Sequence, residues 1–542
     1  MRDRAGGRWA EGGAGAVRPP LIQPILAGLA GSLPFQKHAP GILILCSLIP
    51  FFLLLTVPVY RTGVRDAFRT GWLFGVGYFL GLLHWIGLLA DTEIPVRGLA
   101  LGGMFVLAAY LALFPALFAA GARWANRKVP FVIAAPLLFG ALEHVRTLGL
   151  LGFPWGAPGY ALADQVSLIQ LARAGSVDIL TLAVTVVNAL LAGAILAVTR
   201  RRMGPFAVRF AAAVLIVLLL GIDGVRRIRD GVAPAAPPRT VAVVQPNIKA
   251  ADKWTERYKE ESIRILGDLT KQAVEEGGVD LVVWPETAVP VYVRHEHPFF
   301  RMIEEIVDEV KTPILFGYPD AEYRLGKGYV YFNAAMLIDG EGNVLGEYRK
   351  MHLVPFGERL PLHDRLDWVA KLDLGEADFT PGEEFTVFRE RGSAPFSANI
   401  CFEAIFPPLC REFVREGATF LVNLTNDAWF GTTAAPDQHA DMARLRCVEL
   451  GVYLARSANT GISFIADPFG RIVESMDLYE RGSVVAEITP AGGDTFYVRH
   501  GDWLPRGEIA LSVILLAFAA IGRRKTRREG APGFSFDPSG SP

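Results

Sequence analysis

The sequence predicts a polytopic α-helical membrane domain joined to an α/β layered sandwich. Three observations carry this expectation. The chain of 542 residues is 51% hydrophobic and only 20% charged. Its mean hydropathy is +0.31, above what a soluble domain carries. The long apolar runs crowd into the stretches before residue 238 and after residue 500, while the segment between them alternates short β-branched runs with charged helical stretches.

The elements follow in chain order. A hydrocarbon core about 30 Å thick takes roughly 20 helical residues to cross. By that measure Gly41–Tyr60, Gly71–Ala90, Gly98–Ala122, Leu180–Val198 and Ala211–Ile222, extended backwards to Pro205, are spans. Leu21–Phe35, Val129–Gly149 and Ile509–Gly522 are weaker segments that complete a set of eight, seven before the soluble segment and one after it. The first also fits a signal peptide, because basic residues precede a short apolar core. Charge favours counting all three, since Arg and Lys resist translocation. Arg61, Arg65 and Arg69 follow the second span, Arg123, Arg127 and Lys128 the fourth, Arg200 to Arg202 the sixth, and Arg523, Arg524 and Lys525 the last. Both termini are then cytoplasmic and the soluble segment faces outside. Arg226, Arg227 and Arg229 fall on the wrong side of this scheme, but a large following domain translocates regardless of such charges.

The expected domains are residues 1–237, 238–500 and 501–542. The second opens on "GVAPAAPPRT", a stiff Pro-rich spacer. Thr240–Asn247, Asp280–Glu286, Pro313–Tyr318 and Thr419–Asp427 read as buried strands closed by polar residues. Trp254–Glu276 reads as an amphipathic helix, and Val330–Lys350 as a hairpin around an Asp-Gly-Glu-Gly turn. Ser463–Ser475 gives a second hairpin and Ser483–Ile488 a closing strand. A net charge of −1 without a basic stripe argues against nucleic acid as a partner. Four cysteines and nine histidines without ligand spacing call for no metal and no cofactor.

Glu286, Lys350 and Cys401 each stand directly after an apolar run, where distant strands can bring them to one sheet edge. Each has an ordinary alternative. Glu286 can cap a turn, Lys350 can be a solvated lysine, and Cys401 can be a buried small hydrophobe or pair with Cys410 or Cys447 in a disulfide. Together they make a chemical set. A thiol attacks an acyl carbon as thiolate, so it needs a base or a neighbouring cation. A desolvated Glu286 suits the base, and Lys350 suits both thiolate and oxyanion. Phe402 N–H is a second candidate oxyanion donor, and Glu403 is expected in a charge-balanced cluster with the lysine.

The motifs "WPETA", "YRKMHLVPFGE", "NICFEAIFP", "NLTNDAWFG" and "GFPWGAPGY" resemble the apolipoprotein N-acyltransferase family of the nitrilase, or carbon-nitrogen hydrolase, superfamily. The resemblance covers nearly the whole chain. It implies an αββα nitrilase-like sandwich, with Glu286 as general base, Lys350 as oxyanion stabiliser and Cys401 as nucleophile. Glu358 would orient the lysine or the base, Glu403 would support the same network, and Trp254 and Trp429 would line the substrate entrance unless they are ordinary packing residues. Phe402 stands where some members carry tyrosine, and "RSANTG" departs from the usual pattern. The implied reaction moves an acyl chain from a membrane phospholipid to a diacylated apolipoprotein at the bacterial inner membrane, by a monomeric enzyme whose catalytic domain faces the periplasm. A membrane-anchored amidase is the alternative with the same triad. A transporter using His84, Glu143 and Asn188 is the alternative from another class.

Overall fold

The computed structural model describes residues 19–56, 63–91, 97–248, 256–275, 277–326, 328–360, 378–390 and 392–528. Trp254 and the compositionally biased ends of the chain lie outside them.

The soluble segment folds around two sheets. The first has six strands in the order β11-β1-β2-β3-β4-β5. These are β1 (Arg239–Gln245), β2 (Leu281–Val283), β3 (Ile314–Arg324), β4 (Gly328–Ile338), β5 (Val344–Arg349) and β11 (Gly482–Ile488). The second has five in the order β10-β9-β8-β7-β6, with β6 (Ser397–Ile400), β7 (Phe420–Thr425), β8 (Tyr453–Ala458), β9 (Ser463–Ala466) and β10 (Ile472–Met476). In the first, the parallel strands β1, β2 and β3 are flanked on both sides by antiparallel ones; in the second, the parallel strands β6, β7 and β8 form one end of the sheet and the antiparallel β9 and β10 the other.

Strand periodicity explains why these runs are apolar throughout. Alternate side chains of a strand point to opposite faces, and a parallel sheet buries both. On β1, Val241 and Val243 join the core that also holds Ala398, Ile400 and Leu424 of the second sheet. Their neighbours Ala242 and Val244 pack instead with Ile263, Leu266 and Ile303 of the outer helices Glu256–Glu275 and His297–Val310. All four are fully buried, and each valine contributes about 1.5–3 kcal/mol by that burial. Helices Pro407–Arg415 and Ala435–Leu450 cover the outer face of the second sheet, completing helix, sheet, sheet and helix layers. The hairpin expected over Val330–Lys350 is β4 and β5, closed by the turn in which Asp339 Oδ1 accepts from the backbone of Glu341 and Asn343.

Among the described residues, four helices are long and apolar enough to cross a membrane: Ala100–Ala125, Ala172–Thr199, Met203–Asp230 and Trp503–Ile521. Ile22–Phe35, Gly41–Thr56 and Phe131–Val145 are apolar but shorter. One expected span shifts. The run read as Gly71–Ala90 is a helix over Val64–Leu82, followed by a 3-10 stretch, His84–Asp91. Hydropathy locates apolar content and misses the charged first turn, where the Asp66 carboxylate accepts from Gly63 N–H and starts the helix early. The helix Ala172–Thr199 breaks at Gly175 and Ser176. There Glu449 from the soluble segment accepts from Ser176 Oγ at 2.8 Å and Val177 N–H at 2.9 Å, capping the apolar helix that continues.

Candidate active site

Three strand ends deliver the expected side chains to one place. Glu286 stands just beyond β2, Lys350 directly after β5, and Cys401 directly after β6. Lys350 Nζ donates to Glu358 Oε1 at 2.8 Å and to Glu286 Oε1 at 3.3 Å. The lysine is only 1% exposed, a costly place for an unpaired charge. Burial alone would lower its pKa, but the Glu358 and Glu286 carboxylates hold it well above the usual lysine value. The two carboxylates favour the charged form of the lysine. The turn carrying Glu286 lies tight against β3, and a Cβ at Gly317 would sit 2.8 Å from Glu286 Cα.

A residue that the sequence reading passed over ties these carboxylates together. Asn333, buried on β4, donates from Nδ2 to Glu286 Oε1 at 2.8 Å and to Glu358 Oε1 at 2.9 Å. Its only signal in the sequence is one amide inside the apolar run "VYFNAAMLI". Glu358 is further fixed by Val354 N–H, which donates to Oε2 at 2.8 Å.

Cys401 occupies the left-handed region at φ +52°, a conformation costing a non-glycine residue about 1–2 kcal/mol. Such strain persists only where the surroundings impose it. Burial pushes the thiol pKa up and the Glu286 charge adds to that, while Lys350 pulls it back. A thiol so placed calls for a base to take its proton before it attacks. All four cysteines are free, so the disulfide alternative for Cys401 is not realised.

Glu403 braces this elbow. Oε2 accepts from Ile400 N–H at 2.7 Å, while Oε1 accepts from Tyr348 OH at 2.7 Å, Met351 N–H at 2.7 Å and His352 N–H at 3.0 Å. Its hydrogen bonds thus go to main-chain donors and a phenol, while the charge of Lys350 acts on it through space. The ends of β5 and β6 leave N–H groups without ladder partners, and a buried carboxylate satisfies several at once. Phe402 packs edge-to-face on Phe406 with centroids 5.1 Å apart. Trp429 lies on the 3-10 turn Asp427–Phe430 and is 36% exposed.

A second polar network lies under the cysteine. His439, on the helix Ala435–Leu450, places Nε2 3.2 Å from Cys401 O and Nδ1 2.9 Å from Asp427 Oδ1. Arg456 Nη2 donates to Asp427 Oδ2 at 2.7 Å, and Nη1 donates to Asn423 Oδ1. Burial would raise the pKa of Asp427, yet Arg456 and His439 hold it at about 2. A Cβ at Gly461 would come 2.3 Å from Asp427 Oδ2, so only glycine lets that loop close over the carboxylate. The sequence reading singled out neither His439 nor Asp427.

The "GFPWGAPGY" loop joins this network to the membrane helices. Trp155 Nε1 donates to Gln438 Oε1 at 2.7 Å, Tyr78 OH donates to Gly156 O at 2.7 Å, and the Trp155 ring lies 5.8 Å from that of His439. The polar groups of the transporter alternative have structural partners. Asn188 bonds Leu48 N–H, Ile44 O and Val184 O, Glu143 pairs with Arg146 at 2.7 Å, and His84 contacts Gly81 O at 3.0 Å.

The carbon-nitrogen hydrolase family matches residues 240–495, and the apolipoprotein N-acyltransferase N-terminal domain matches residues 27–190. An apolipoprotein N-acyltransferase of Geobacter metallireducens is 35% identical, covering 94% of this chain and 96% of that protein. The chain belongs to the apolipoprotein N-acyltransferase family. A second member, from Azotobacter vinelandii, is 32% identical over 95% of this chain and 98% of its own length. Among solved structures, an amidase from Nesterenkonia sp. is 20% identical with a TM-score of 0.37, covering 50% of this chain and 98% of that one; so loose a likeness carries no argument. For an apolipoprotein N-acyltransferase family member the division is plain. Both polar networks fall within the carbon-nitrogen hydrolase match, and Trp155 within the N-terminal-domain match.

Proposed function

We propose that this protein transfers an acyl chain from a membrane phospholipid to the α-amine of the N-terminal diacylglyceryl-cysteine of bacterial apolipoproteins, through a thioester on Cys401. The observation that carries the reading is the buried Lys350 ammonium held between Glu286 and Glu358 beside a raised-pKa thiol on a strained strand end. Glu286 takes the thiol proton, and the thiolate attacks the ester carbonyl. Lys350 and Phe402 N–H stabilise the oxyanion. As the C–O bond breaks, Glu286 returns its proton to the leaving alkoxide and a lysophospholipid departs. The amine then attacks the thioester, the C–N bond forms, the C–S bond breaks, and the amine proton passes through Glu286 to sulfur. Glu358 orients the lysine, Glu403 holds the elbow, and Trp429 flanks the substrate entrance, a role that the family resemblance also gives Trp254.

The chain crosses the inner membrane eight times, with residues 238–500 on the periplasmic side, and works as a monomer without cofactor. Both substrates are lipid-anchored, which is the use of a membrane platform beside the site. Mixing the purified protein with phospholipid and measuring its intact mass tests the thioester. An acyl-sized increase is expected, lost on hydroxylamine treatment and absent in Cys401→Ala; an adduct that survives in Cys401→Ala rules the reading out. Adding a diacylated lipopeptide should yield N-acyl peptide. Free fatty acid without N-acyl peptide would instead mark resolution of the thioester by water, as in the hydrolase alternative.

A further inference from the structure

His439 meets Cys401 at its carbonyl oxygen, 3.2 Å from Nε2. Asn423 Nδ2 approaches the same oxygen at 3.5 Å. The imidazole is held rigidly: Asp427 Oδ1 at 2.9 Å and Arg456 Nη2 at 3.2 Å both face Nδ1, and the ring lies near Trp155 and Phe430. A carbonyl oxygen only accepts, so the 3.2 Å contact is a hydrogen bond when Nε2 carries the proton. The imidazolium makes it while donating from Nδ1 to Asp427 Oδ1, and the neutral Nε2–H tautomer makes it while its Nδ1 accepts from Arg456 Nη2.

The peptide joining Cys401 to Phe402 is trans, and a trans peptide holds its C=O and N–H antiparallel. Fixing the carbonyl on His439 therefore turns Phe402 N–H the opposite way. We infer that His439 is a positioning residue that clamps the Cys401 carbonyl and so aims Phe402 N–H at the developing oxyanion, an inference that rests on the acyl-transfer reading above. The clamp also accounts for the desolvation cost of His439, Asp427 and Arg456, each at most 1% exposed. Apolar residues of similar volume would pack there at less cost, but none could hold a carbonyl at a residue with φ +52°.

The test compares two reactions of Cys401 in the full-length protein in phospholipid–detergent micelles. Acylation by phospholipid forms an oxyanion; alkylation by iodoacetamide does not. His439→Gln retains a donor near the Nε2 position and should acylate within about threefold of wild type. His439→Asn cannot reach the carbonyl and should acylate about 10–100-fold more slowly, near the lower range for a lost oxyanion donor, with alkylation within about twofold of wild type. Asp427→Asn keeps the ring but loosens it, and should slow acylation by about 3–10-fold on the same scale. It serves as the test if His439→Asn is not recovered folded. Alkylation falling in step with acylation overturns the inference, because the histidine would then act on the thiol or on the fold at large. So does unchanged acylation in the variants. A wild-type protein that alkylates but gives no acyl adduct would sink the acyl-transfer reading itself.

Discussion

On the side of the six-stranded sheet Cys401 faces one lysine set between two carboxylates; on the side of the five-stranded sheet its carbonyl faces a histidine backed by one carboxylate and one guanidinium. The first cluster sets two carboxylates against one ammonium. The second pairs Asp427 with Arg456 and His439 and is buried throughout. The difference teaches that similar residue types serve opposite ends. An unbalanced cluster beside the thiol can do proton chemistry, whereas a balanced one behind the backbone can only hold geometry.

The largest expected effect breaks the reactive side. Glu286→Gln should slow Cys401 acylation by about 10²–10⁴-fold, the range for a lost general base. Alkylation should slow as well, because burial and charge keep the thiol protonated. Normal alkylation in Glu286→Gln would show that another group takes the proton. Lys350→Met leaves Glu286 and Glu358 buried without their cation. Denaturation should register a loss of about 3–5 kcal/mol, and an unchanged midpoint would mean the clamp is not a true ion pair.

Asn333→Ala removes one donor shared by two carboxylates, and about 2–3 kcal/mol should go with it. A loss of activity without any loss of stability would give Asn333 a role beyond bracing. The smallest effect sharpens the holding side. With the native pKa of Asp427 depressed to about 2 against an ordinary value near 3.9, the carboxylate contributes stability in full above about pH 4. That contribution, about 2 kcal/mol, disappears as pH falls from about 4 through 2. Thermal midpoints across this window should drop in wild type and less steeply in Asp427→Asn; parallel curves would place the acid transition elsewhere.

Much of the reactive side was legible from sequence. Cys401 follows an apolar run directly and Glu286 follows one across Pro285, so each announces where its strand leaves the core; the strand before Lys350 carries Glu347 and Arg349 and is mostly exposed or half-buried, and the lysine stood out through the motif "YRKMHLVPFGE". Asn333 was not legible, because one amide in a strand looks the same whether it is satisfied by a neighbour or by two carboxylates from elsewhere in the chain. His439 sits on a helix buried on nearly every face, so no periodicity set it apart. Glu403 was noticed, but three of its four donors are backbone groups that almost any residue type supplies. The span expected at Gly71–Ala90 slipped because hydropathy does not register a charged first turn.

By itself the sequence determined the layered architecture and the separation of apolar helices from the soluble segment, and it picked out Glu286, Lys350 and Cys401 as candidates, since each depends on local patterns of burial and on residue chemistry. Only the tertiary structure decided which carboxylates share Lys350, that Asn333 joins them, and that His439 reaches the Cys401 carbonyl. Those contacts join residues 8 to 64 positions apart, and a hydrogen bond across such a span follows from how strands and helices pack, which no stretch of chain encodes alone.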